Sequence, residues 1–139
     1  MGSKIIIKAF IFPGQGSQFQ GMGKDFSYNS NAKAIYETAN EILGYDIMKL
    51  SFEGSLEEIS QTIYTQPLIY IFSMIIDLEL KQRGMHPDAV AGHSLGEISA
   101  LVSAGIISFE VGLQIIKVRA KSMHDSGNKR SGKMIALLK

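Results

Sequence analysis

The spacing of apolar positions changes several times along the chain, and each change marks an element. Ile5-Ile6-Ile7-Lys8-Ala9-Phe10-Ile11-Phe12 is β-branched and aromatic and stops at Pro13-Gly14, which predicts a buried strand followed by a turn. The stretch from Gly14 to Gly23 is too rich in glycine for regular structure and reads as loop. From Ala32 to Leu43, apolar residues at 35, 39, 42 and 43 fall on one helical stripe, with Asn31 as the expected cap and Gly44 past the end. Ser55 with Glu58 has the spacing of a capping box for a further short helix. Pro67 opens a long helix that Gly84 closes, in line with proline at helix starts and glycine beyond helix ends. Its apolar residues, from Leu68 to Ile76, cover most of the circumference, so burial is expected.

The second half of the chain alternates in the same way. Pro87-Asp88 leads into a short strand, Ala89 to Gly92, and a helix begins near Ser94 or Leu95. Ser108 can cap a helix from Phe109 to about His124, with Glu110 in the first turn, where the helix dipole favours an acid. A polar loop from Asp125 to Lys133 precedes a core-like strand, Met134 to Leu138. Strands alternating with helices predict an α/β domain whose largely parallel sheet is flanked by helices.

Composition narrows the class. The chain has 139 residues, 45% hydrophobic and 19% charged, a globular balance of a size for one domain. The absence of cysteine removes a disulfide framework, a thiolate metal site and a thiol nucleophile together. A net charge of +1 gives no mark of a nucleic-acid binder. The most apolar stretch, Pro67 to Ile76, ends at Asp77 and is too short to span a bilayer. The N-terminus has no leader pattern, so a soluble, cytoplasmic protein is expected. Charge is unevenly placed: six acids and one base lie between Glu37 and Glu58, and six bases and one acid between Lys117 and Lys133.

Against that background one motif carries chemistry. Gly92-His93-Ser94-Leu95-Gly96 fits G-x-S-x-G between a strand and a helix. Flanking glycines let the chain turn sharply and let strand and helix approach, so that the serine hydroxyl projects at the end of the strand. The N–H of Leu95 is then offered to a developing oxyanion. With 14 glycines in the chain, about 0.15 accidental matches are expected over all serines, before the strand–turn–helix context is required. A second loop, Phe12-Pro13-Gly14-Gln15-Gly16-Ser17-Gln18, leaves the first strand. If the two strands are parallel neighbours, both loops share the ligand-binding edge of the sheet. An N–H near Gln15 could then be the second oxyanion donor; the plainer alternative is a Pro-Gly turn carrying surface glutamines. Phe19 stands where a third glycine would complete a dinucleotide-binding loop, so that reading fails. Arg119 is open to two readings: a guanidinium clasp for a carboxylate, or a solvated charge beside Lys117 and Lys121.

The FPGQGSQ segment at 12–18, Thr65-Gln66-Pro67, GHSLGE at 92–97 and Arg119, 25 residues past the serine, together resemble the malonyl-CoA:acyl-carrier-protein transacylases. The wider family includes the acyltransferase domains of polyketide synthases, and the similarity runs through essentially the whole chain. The resemblance implies an α/β-hydrolase-like core with a nucleophile elbow, and malonyl transfer from coenzyme A to the pantetheine thiol of acyl carrier protein in fatty-acid biosynthesis. Ser94 is then the nucleophile, Leu95 and Gln15 the backbone oxyanion donors, and Arg119 the grip on the malonyl carboxylate. No metal and no tightly bound cofactor are implied, malonyl-CoA being the substrate; neither nucleic acid nor membrane is an expected partner. The match is to the N-terminal half of such an enzyme. Residues 1–128 correspond to the core and 129–139 to the start of a second, small α+β subdomain, and the family's catalytic histidine falls beyond residue 139.

None of the three histidines here makes a convincing base. His93 neighbours the nucleophile and should point away from it, in a supporting, hydrogen-bonding role; His86 precedes Pro87; His124 ends a helix. Glu97 reads as a helix-surface residue. Two other functions fit the same elbow: a serine hydrolase of patatin-like type, with water replacing the thiol, and a non-catalytic fragment that binds acyl thioesters or a carrier protein. The chain by itself is expected to turn over poorly, because serine needs a base.

Overall fold

The computed structural model describes residues 7–129. Two strands, β1 (Ala9–Phe12) and β2 (Ala89–Gly92), pair in parallel with Ala9 opposite Ala89 and Phe12 opposite Gly92. Between them run α1 (Ser30–Leu43), α2 (Ile47–Glu53), α3 (Leu56–Ile59) and α4 (Thr62–Gln82); α5 (Gly96–Ser103) and α6 (Phe109–Lys129) follow. The β-α-β order requires a crossover, and the helices provide it. The fold is the expected α/β type, helix-rich around a small parallel sheet.

The core lies within the helical layer, centred on α4. Tyr70, Ile69 and Ile71 of α4, Leu113 and Ile116 of α6, Ala39 of α1 and Ile47 of α2 are each at most 2% exposed. The first strand is shorter and barer than its sequence suggests. Ile7 and Ile11 stand 73% and 78% exposed, whereas Phe12 enters the core. The pleat sends alternate residues to opposite faces, and among the described residues only one face of β1 is covered. Residues 5 and 6 and the expected strand 134–138 lie outside the described residues, as does the expected second subdomain apart from Lys129.

Three helix boundaries differ from the sequence reading. The cap of α1 is Asn29, not Asn31: the Asn29 side chain accepts from the N–H groups of Asn31 and Ala32. Pro67 lies inside α4, not at its start, because the chain already turns at Gln61. Thr65 ties that first turn down by donating to the carbonyls of Ile59 and Gln61. Helix α6 continues past His124 to Lys129, into the first part of the expected polar loop 125–133, with the Lys121–Asp125 pair one turn apart; residues 130–133 lie outside the described residues. At the other boundaries the reading holds: Gly44 and Gly84 take left-handed conformations beyond α1 and α4, and Ser55 accepts from Glu58 N–H. At 21 residues, α4 is long and apolar enough for a membrane span by length and composition. However, 61% of its apolar window is buried inside the protein, and Asp77 and Lys81 pair within it at 2.8 Å. It is the core helix.

Candidate active site

The parallel register places Phe12 beside Gly92, so the loops after β1 and β2 leave the same edge of the sheet. The His93 N–H donates to the Phe12 carbonyl at 3.0 Å and extends the pairing by one bond before the chain turns. Ser94 then sits at φ 57°, the only non-glycine residue with positive φ among the described residues. An L-residue is strained there, and such strain gathers at functional sites. The two motif glycines have separate steric reasons. A Cβ on Gly92 would collide with the backbone of Gly96, and one on Gly96 would collide with the Phe12 carbonyl. Gly14 packs as closely, since a Cβ there would lie 2.6 Å from His93 Nδ1. The first loop is thereby pressed onto the elbow.

Helix α5 starts directly behind the serine, with Gly96 N–H bonded to His93 O and Glu97 N–H to Ser94 O. Among the described residues, the backbone N–H groups of Leu95 and Gln15 donate to no protein acceptor. The Leu95 side chain is fully buried. The Gln15 side chain turns from the elbow toward the start of α4 and donates to Thr62 Oγ1 at 3.2 Å. Gln18 donates to Ser60 Oγ at 3.3 Å and accepts from Gly16 N–H at 2.9 Å. The loop's glutamines therefore hold the loop by their side chains, and the Gln15 N–H keeps no protein acceptor among the described residues.

Arg119 reaches the same place from α6. Its Nη2 donates to Ser94 Oγ at 2.8 Å and its Nη1 to Gln66 Oε1 at 2.6 Å. Gln66 is wholly buried, and its Nε2 donates to the sulfur of Met123 at 3.2 Å. Arg119 is half-buried and bonded through both Nη groups rather than extended into solvent as a free charge. Its neighbours in the basic run turn elsewhere: Lys117 Nζ donates to the Ile42 carbonyl at the end of α1, and Lys121 pairs with Asp125. Sequence reading assigned Gln66 no role; the available signal was a single amide inside a run of apolar helix positions.

Around Ser94 Oγ, among the described residues, no imidazole or carboxylate is hydrogen-bonded; the bonded group is Arg119. His93 is exposed, and among the described residues it bonds through its backbone and not through its side chain. His86 and Glu97 are exposed. Among the described residues no cluster of acidic or histidine side chains could hold a metal ion.

Elbow, second glycine loop and arginine converge in this way in a chain whose residues 9–138 match the family model described as acyl transferase domain. The chain belongs to that family. This acyl transferase domain is 43% identical over 131 residues to the malonyl CoA-acyl carrier protein transacylase of Synechocystis sp., covering 94% of this chain and 43% of that protein. It is 41% identical over 131 residues to the enzyme of the same name from Bacillus subtilis strain 168, covering 94% and 41%. Among solved structures, the Synechocystis transacylase superposes with a TM-score of 0.85 at 42% identity, over 87% of this chain and 41% of that one. A malonyl-transacylase in complex with its type II polyketide acyl-carrier protein superposes at 0.81 with 37% identity, over 87% and 40%. The domain thus spans less than half the length of these relatives.

Proposed function

We propose that this acyl transferase domain moves a malonyl group from coenzyme A to the pantetheine thiol of acyl carrier protein, through an ester on Ser94. The observation that carries the reading is the 2.8 Å contact between Arg119 and Ser94 Oγ at the tip of the elbow. A guanidinium within bonding distance of an acyl-accepting oxygen is placed for an acyl group that ends in a carboxylate. Ser94 Oγ attacks the thioester carbonyl while Arg119 shifts from the hydroxyl to the malonyl carboxylate. The N–H groups of Leu95 and Gln15 receive the oxyanion. Collapse of the tetrahedral intermediate forms the ester and breaks the carbon–sulfur bond, and the serine proton leaves with the coenzyme A thiol. The carrier-protein thiol reverses these steps, giving ping-pong transfer. The proton carrier between oxygen and sulfur is a histidine supplied from beyond residue 139, by resemblance to the family. The reaction so written needs no bound cofactor, and we read it as a cytoplasmic step of fatty-acid or polyketide synthesis.

Intact-mass measurement after mixing with malonyl-CoA tests this reading. A malonyl adduct that maps to Ser94 and is lost in Ser94→Ala, with the fold retained, is the expected result. Free malonate and coenzyme A without adduct would instead mark a hydrolase, and an unchanged mass would mark a domain that only binds.

A further inference from the structure

The amide of Gln66 lies in α4 among Thr65, Pro67 and Leu68, all buried, and has no access to water. An amide so placed is costly unless both of its ends are bonded, and both ends are. Its oxygen accepts from Arg119 Nη1 at 2.6 Å and its nitrogen donates to Met123 Sδ at 3.2 Å. Because arginine can only donate, the orientation of the amide is fixed. Arg119 and Met123 are four residues apart on α6 and therefore share a helix face, so both partners come from one element packed on α4. We propose that Gln66 is a positioning residue: it pins one arm of Arg119 and thereby sets the selectivity of the domain for acyl groups that end in a carboxylate. The selectivity part rests on the malonyl reading above. Of the five N–H groups of a guanidinium, Gln66 takes one and Ser94 another. A carboxylate can displace Ser94 while Gln66 keeps the guanidinium plane in place, so the ordering of a flexible side chain precedes substrate binding.

The sequence contains only three arginines, Arg83, Arg119 and Arg130, so side-chain nitrogen NMR on the full chain resolves them. In the wild type, the two Nη groups of Arg119 give separate, slowly exchanging signals. In Gln66→Leu they merge, and the ratio of malonyl to acetyl adduct formed from the two thioesters falls roughly tenfold, the effect of losing one charge-assisted hydrogen bond. Gln66→Glu keeps the Nη signals apart but neutralises the guanidinium, and lowers the same ratio. This second variant separates loss of pinning from loss of charge, and it remains informative should Leu unfold the chain. Separate Nη signals in a folded Gln66→Leu, or a malonyl-to-acetyl ratio equal to wild type, would overturn the proposal. A wild-type chain that accepts no acyl group at all would be a failure of the malonyl reading. The Nη signals alone would then uphold or overturn the pinning.

Discussion

Ser94 holds a left-handed backbone conformation that costs an L-residue about 1–2 kcal/mol, and glycine takes that conformation freely. Ser94→Gly and Ser94→Ala should both lose the adduct, but they should differ in stability. After the extra chain entropy of glycine is deducted, the glycine variant should resist urea by roughly 0.5–1 kcal/mol more than the alanine variant. Equal midpoints would mean that the elbow carries no strain. Arg119→Ala removes the bonded partner of both Ser94 and Gln66. Malonyl transfer, assayed in a complete enzyme, should fall by about 1.5–3 kcal/mol of transition-state stabilisation relative to acetyl transfer. Losses of the same size for both acyl groups would reduce Arg119 to a packing role. The elbow was legible in the sequence because its steric demands admit only glycine at 92 and 96. The role of Gln66 was not: a lone amide among apolar helix positions hints at burial, but its bonding partners lie 53 and 57 residues away.

Helices show where local signals compete. The string Asn29-Ser30-Asn31 offers three capping residues in a row, and propensity does not choose among them. The chain turns at Asn29, which also donates to Glu79 on α4 at 2.9 Å. Asn29→Ala should therefore cost about 1–2 kcal/mol in thermal or urea unfolding. Asn31→Ala, which removes one exposed bond to Gln82, should stay within about 0.5 kcal/mol. The reverse ranking would restore Asn31 as the cap. Pro67 was misplaced for a different reason. Proline normally favours a first turn, but here it is buried within a helix that packs against α6. Tertiary burial outweighs the backbone bond that proline cannot give to Ile63. At the far end of α6, polarity suggested loop, whereas the Lys121–Asp125 pair is compatible with continued helix.

At the scale of the molecule, the strand pairing and the shared edge of the two loops were both readable, since parallel neighbours with a helical crossover admit few arrangements. How α6 crosses α4 was not readable, because helix crossing depends on side chains brought together from distant segments. Among the described residues, the exposed face of β1 and the segment before it, with Ile11 and Ile7 bare, is an apolar surface of the kind that binds dyes and other chains. The 139-residue chain on its own should form the Ser94 ester slowly and transfer it to carrier protein without measurable turnover, since Ser94 has no bonded base among the described residues. Supplying the remainder of a related transacylase should restore steady-state transfer, and full turnover by the chain alone would refute this and direct attention to His93. Lys117 and Arg119 stand two residues apart on α6, one fastened to the end of α1 and the other to Ser94. The contacts of these two residues close over 75 and 25 residues of chain respectively, and α6 is the last described element to leave the ribosome. During synthesis Ser94 therefore leaves the ribosome 25 residues before the arginine that bonds it. On the malonyl reading proposed above, selectivity for the acyl group would then be a late event of folding.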